Sequence, residues 1–503
     1  MRSYNSRTSN VRGDLGYGWT HNFGWRLLMR RRHYAVIDDR GREQRLRRPR
    51  SAGVPATNAF GWKLGGTDTG FVLSMPKSEC QIRFSATAAR GVHWQTALVD
   101  RNGNRIEIER DENGVLRRFI DSAGRSYRVT SDAEGRILAI SVAADASELA
   151  WIETVRYTYD AAGNLGSVSD AEGFTNQLFY DGHLVVEHRL ACGLSYCYRY
   201  DGRTREARCI ETWGEYSGRQ DAALEHPLPL RPATELEDRK VKGINSVRFL
   251  YDDANRYTEA ENGLGGVERF FGDETGRVVK HIDAAGGVTE KQYDPAHGSL
   301  IAESDESGVV RQARFDAEGK PAGFVGPNGE GTRVIADKDG TLIDSDERNG
   351  RVSLRRHDEH GRLIFFEHGD GTREEYEYDS RGLMTLLIDR SGAATRFSYD
   401  AMGNLVSTDY GRGGSSVSEY DYLGRRTRHT DRFGRTTEWR WNRRNEVVWK
   451  RHADGSETEV LWDANGKPVV LQGGWPHLEL FLRRARVAHR NRWAARRRHP
   501  LSL

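Results

Sequence analysis

The sequence predicts an all-β fold of stacked β-hairpin repeats with a 21-residue period. Three observations predict it: 55 glycines in 503 residues, 10% aromatic residues beside 30% charged ones, and a short motif that keeps returning at one spacing. That much glycine argues against long helices, and that many aromatics argues against a disordered polyampholyte. The formal charge of +3 is small for this length, so no chain-wide field draws nucleic acid or an acidic substrate.

No stretch approaches the roughly 20 apolar residues of a membrane helix, and the start, MRSYNSRTSN, lacks the apolar core of a signal peptide. Synthesis in the cytoplasm is therefore expected. Four cysteines, Cys80, Cys192, Cys197 and Cys209, are too few for a disulfide scaffold, so reduced and mostly buried thiols are expected.

The repeat is an aromatic-Asp pair followed by two residues, Gly and a polar residue. Clear copies are Tyr159-Asp160 with Gly163, Phe315-Asp316 with Gly319, Tyr378-Asp379 with Gly382, Tyr399-Asp400 with Gly403, and Trp462-Asp463 with Gly466. From Asp252 the marker runs through Asp273, Asp294, Asp316, Asp337, Asp358, Asp379, Asp400, Asp421, Asn442 and Asp463, each step 21 residues except one of 22. A fixed period is the signature of a repeat architecture.

A second turn follows about half a period later, at Asp283, Asp305, Asp389 and Asp431. In Asp-x-x-Gly the Asp oxygen accepts from backbone N–H groups just ahead, and Gly supplies the positive φ that closes the hairpin. Between turns, polar and aromatic residues alternate, so Tyr376 and Tyr378 share one side, as do Phe397 and Tyr399; Trp439 and Trp441 repeat the arrangement. These are half-buried strands whose aromatics stack into a ladder, and one unit needs its neighbours to bury that face.

Over roughly residues 150–470 these motifs resemble the YD-repeat proteins, which include bacterial Rhs proteins and the teneurin shells of animals. The stretch from Ser3-Tyr4-Asn5 through Gly16-Tyr17-Gly18-Trp19-Thr20-His21-Asn22 also resembles the segment preceding the repeats in Rhs proteins, which favours that branch. The resemblance implies a sheet spiralled into part of a hollow β-shell that encloses a C-terminal toxin, often exported by type VI secretion. The implied partners are that toxin cargo, absent from this chain, and secretion-apparatus components, with no nucleic acid and no membrane span. The chain is expected to be a structural shell segment rather than an enzyme, without cofactor. A cell-surface carbohydrate- or receptor-binding repeat protein is the alternative.

Along the chain we expect an N-terminal β-rich capping region at 1–100, early irregular repeats at 101–213, a proline-containing insertion loop at 214–240, regular repeats at 241–473 and an arginine-rich aberrant tail at 474–503. Between Arg483 and Leu503 stand eight arginines and no acid, the pattern of a truncated or frame-shifted copy. Exposed edge strands near residue 470 would then favour aggregation.

Candidate chemistry is sparse. His188, Cys192, Cys197 and Cys209 are zinc-type ligands, but their spacing is poor and isolated buried thiols are expected. Asp294-Pro295 is similar to the Asp-Pro segment at which intact Rhs cores sever their toxin, yet Asp294 lies on the repeat marker, so a turn is expected. The acids recur at turns instead of converging as a glycosidase pair. HExxH, a nucleophile elbow and a phosphate-binding loop are missing, and Gly411 to Ser416 reads as a loop. The basic clusters Arg30-Arg31-Arg32, Arg45 to Arg50 and Arg496 to Arg498 read as a solvated face and an aberrant tail.

Overall fold

The computed structural model describes residues 1–49, 53–58, 60–75, 78, 80–88, 91–216, 244–294, 298–305, 310–315, 321–326, 331–336, 342–346 and 352–472. The arginine-rich tail at 474–503, residues 217–240 of the expected insertion loop, Asp316, Gly319 and Asp337 lie outside these, as does the side chain of Phe315.

Almost every described element is a short antiparallel strand, each paired with its sequence neighbour. From Val92–Val99 to Pro468–Gln472 the strands form one long meandering ribbon. The expected insertion begins later than its composition suggests. Its first residues, Gly214 to Tyr216, finish the strand Cys209–Tyr216, where Gly214 pairs with Tyr196 and Tyr216 with Leu194. Loss of alternation in the sequence hid this pairing because Gly214 has no side chain to mark a face.

The N-terminal region contains a closed barrel that hydrophobic alternation did not reveal. Eight strands from Arg26–Met29 to Val92–Val99 pair in order, and the ring shuts where Val92, His93 and Trp94 pair with Leu28, Leu27 and Arg26. The last strand then divides its edge. Its first half closes the barrel, and Ala97 to Val99 pair with Arg105 to Glu107 to launch the ribbon. Closure removes sheet edges that would otherwise invite pairing with other chains. The barrel core holds Leu27, Val36, Leu46, Leu64, Leu73, Ile82 and Phe84.

Ahead of the barrel, residues 1–24 form two tiny sheets, Arg2–Tyr4 with Trp19–His21 and Arg12–Gly13 with Gly16–Tyr17. This cap packs Leu15 against Ile108, Leu116, Val129, Ile137, Tyr157 and Leu165 of the first strands of the ribbon.

Candidate functional site

A ribbon of antiparallel strands exposes two rows of turns, one along each edge. In each unit the Tyr-Asp turn lies on one edge, the marker row, and the half-period turn on the other, the opposite row. The same local chemistry builds both. In Asp121–Arg125, Asp121 Oδ1 accepts from the N–H of Ala123 and of Arg125, both at 3.0 Å, and Oδ2 takes Arg125 Nε at 2.7 Å. The Asp121 N–H donates to Arg125 O and Gly124 N–H to Asp121 O, with Gly124 at φ +82°. The Asp side chain and the backbone groups that close the hairpin are thereby paired, which holds a solvent-facing turn in one geometry. Asp379, Asp400, Asp421 and Asp463 accept in the same way, and so does Asp38 in the barrel. At Asn442 the glycine position is filled by Asn445 at φ +63°, a conformation Asn tolerates.

Burial raises the carboxyls of Asp358, Asp379 and Asp400, but backbone N–H donors and the Arg or Asn partners outweigh it and hold them below the ordinary range.

The marker aromatic has a task that the alternation pattern does not show. Tyr378 donates its hydroxyl to Leu363 O at 2.9 Å, Tyr399 to Met384 O at 2.8 Å and Tyr420 to Leu405 O at 2.9 Å. Trp441 and Trp462 reach Arg426 O and Val447 O with their indole N–H, both at 2.8 Å. Each acceptor lies 15 residues back, just after the preceding marker turn, so the aromatic ties one unit to the last. Tyr and Trp share an apolar ring with a polar donor, which explains why either serves and why a Phe supplies only the ring. In each of these units the strand register shifts immediately before the aromatic, a bulge that adds twist. Tyr159 instead donates to Ile137 O at 2.6 Å, beside the cap.

The residue after the turn glycine straps the row in the other direction. Arg362 Nη1 donates to Asp379 O and Arg425 Nη1 to Asn442 O, while Arg381 and Arg444, one place before the glycine position, reach Asp400 O and Asp463 O. The sequence signal was present, a polar residue beside each turn glycine, but its reach to the next unit was not.

The two rows meet different neighbours. On the first coil, the strands from Val92–Val99 to Leu184–Arg189, the marker row is covered by the cap: Ile137 N–H donates to Asp14 O, Tyr17 stacks on His183 at 3.9 Å, and Tyr4 donates to His183 O at 2.7 Å. A Cβ on Gly16 would lie 2.7 Å from Gly163 O, so only glycine lets the cap come this close to the Tyr159-Asp160 turn. Asp14 sits in a charged cluster with Arg110 at 3.1 Å and His21 at 3.1 Å, and Arg110 also lies over Trp94. Burial alone would raise the Asp14 carboxyl, but Arg110 and His21 outweigh it and hold it far below the ordinary range.

The opposite row of the first coil receives the marker row of the second, the strands from Val352–His357 to Pro468–Gln472. Asn104 donates to Arg381 O at 2.8 Å, Arg125 to Leu423 O at 2.8 Å, and His360 to Arg101 O at 3.1 Å. Arg443 N–H donates to Glu172 at 3.0 Å, and Arg444 pairs with Asp170 at 3.2 Å over the Phe174 ring. These partners stand 259 to 298 residues apart, so the ribbon winds round and meets its own edge.

The zinc-type residues do not converge. His188 pairs with Tyr196 across the sheet, which puts the adjacent Cys197 on the other face, and Cys192 lies in the turn between Leu190 and Leu194. Burial first, then Glu215 and Glu187, push the Cys197 thiol up to about 11. Among the described residues no three His, Cys, Asp or Glu side chains gather as a metal site. Asp294 closes a turn with Gly298 and Ser299, and Gly411–Gly413 is a single helical turn leading into the strand Ser415–Tyr420. No helix among the described residues is long and apolar enough to cross a membrane.

The family model described as RHS Repeat matches residues 378–415, and a domain of unknown function, DUF6531, matches residues 1–46. Double-stranded DNA deaminase toxin A of Burkholderia cenocepacia (strain H111) is 27% identical over 219 residues, 42% of this chain and 15% of the relative. Toxin protein Tse5 of Pseudomonas aeruginosa is 26% identical over 254 residues, 46% of this chain and 17% of the relative. The chain thus matches only a small part of the length of either toxin. The crystal structure of TcdB2-TccC3 without its hypervariable C-terminal region is similar over 91% of this chain and 23% of that one, at 14% identity and a TM-score of 0.44. The 21-residue turn period, the repeat match and the similarity to two toxins together support reading this chain as an Rhs-type YD-repeat protein.

Proposed function

We propose that the chain forms wall in a protein shell, as a non-catalytic segment of an Rhs polymorphic toxin whose intact form encloses a C-terminal toxin cargo. The observation that supports this best is the return of the ribbon onto its own edge, marker row on opposite row. A sheet that meets itself bounds a volume, whereas an open sheet does not. The aromatic side, with Phe366, Tyr376, Leu387, Phe397 and Trp439, lines that volume on this reading. Export by a secretion apparatus, type VI in particular, belongs to the same proposal.

Electron microscopy of the negatively stained chain tests it. A ring with a stain-filled centre is expected, and a solid or fully extended particle would rule the shell out. A polypeptide reporter fused to the C-terminus and challenged with protease then asks whether the wall protects cargo.

One observation favours a second reading. Phe433 and Tyr410 are exposed on the opposite row of the second coil with Arg432 between them, an arrangement suited to stacking on a sugar. A glycan array that stays blank at high protein concentration would dismiss it.

A further inference from the structure

We propose that the seam between the two coils is the line along which the wall opens, with the marker row of the second coil lifting as one strip. This inference rests on the shell reading above. Neighbouring strands within a coil share a backbone ladder, as Tyr376 to Tyr378 do with Met384 to Leu387. Across the seam, among the described residues, no backbone N–H meets a backbone carbonyl. The contacts across it include five polar ones and one ring contact, from Asn104, Arg125, His360, Arg443 and Arg444.

Several of these groups keep a partner when the coils part. Arg125 Nε still holds Asp121, Asn104 still holds Asp100, and Arg444 Nη1 still holds Asp463 O. Opening therefore exchanges side-chain contacts for water and leaves the backbone ladders of the hairpins intact. The lifting strip is also stiff along its length, because Arg362, Arg381, Arg425 and Arg444 each bind the carbonyl of the next marker turn. Such a row moves as a unit instead of fraying one hairpin at a time. The seam has no slack: a Cβ on Gly382 would fall 2.4 Å from Asn102 Nδ2, so a wedge there pushes against the first coil.

Hydrogen exchange of the whole chain at individual amides provides the test, since the Arg443 N–H is covered by Glu172 from the other coil. Raising ionic strength is expected to speed exchange at Arg443 roughly tenfold, about the worth of one charge-assisted contact, while amides in Thr436–Trp441 and Val447–Arg451 stay unchanged. Gly382→Ala should speed Arg443 exchange as well, though 61 residues separate the two sites. Adding Asn102→Ala should reverse that remote effect, leaving only local strain at the Gly382 turn, where φ is +84°. If Arg443 exchanges only when the strand amides do, the coils form one cooperative body and the proposal fails. It fails equally if Gly382→Ala acts solely on its own turn. A solid particle in the microscope would remove the shell reading, while these exchange data would still decide whether the seam opens.

Discussion

The cap and the second coil both rest on the first coil, on opposite rows of turns, and are held there by different physics. The cap buries Leu15 among the apolar residues of six strands and seals the contact with a charged cluster around Asp14 and Arg110. The second coil brings few buried apolar side chains, Leu386 and Val460 among the described residues, and touches the first coil through polar turn residues. A one-layer sheet has no core of its own. Its stability comes from ladders, from the aromatic tie between units and from turns that satisfy their own polar groups, whereas the capped region adds hydrophobic burial.

Acid should separate the two regions most widely. The carboxyls of Asp358, Asp379, Asp400 and Asp431 lie below their unfolded value when folded. Their contribution is therefore complete above the unfolded value of about 4 and is lost as pH falls through the folded values. Asp14 is held lower still. Hydrogen exchange between pH 7 and pH 2 should show the second coil opening before the cap, and simultaneous loss would erase the distinction.

Arg110→Met comes next. It leaves the partly buried Asp14 with His21 as its remaining side-chain partner, a change expected to cost about 3 kcal/mol, whereas Arg425→Met on the second coil should cost about 1 kcal/mol or less. Denaturant titration with probes in each region measures both, and equal losses would mean the cap cluster is no more buried than an ordinary turn pair. A core truncation repeats the contrast on a smaller scale. Leu165→Ala, fully buried beneath the cap, should cost about 2–5 kcal/mol, and Leu386→Ala clearly less.

The smallest effect tests the marker aromatic. Trp441→Phe removes the N–H that reaches Arg426 O and should cost about 1 kcal/mol, while Trp441→Tyr should recover much of it by placing a hydroxyl at the same carbonyl. Phe and Tyr variants of equal stability would show that the ring alone matters.

Much of this was legible in the residues. The Asp-x-x-Gly turns, their two rows and the strands between them follow from contacts made within a few positions, so a 21-residue pattern reports them directly. What escaped notice has acceptors that leave no trace in composition. The carbonyls of Leu363, Met384 and Leu405 are peptide groups common to all residues, so no pattern announces that Tyr378, Tyr399 and Tyr420 bind them. The barrel was hidden for a related reason, since its closure depends on three backbone pairings between strands far apart in the chain.

The sequence by itself determined the unit: its length, its turns, its aromatic side and its β character, all set by local sterics and by side chains bonding to nearby backbone. Only the tertiary structure decided which row meets which. Contacts such as Asn104 to Arg381 O join groups 277 residues apart. The small twist added by each bulge, summed over a whole revolution, sets where the ribbon meets its own edge, and no single repeat carries that sum.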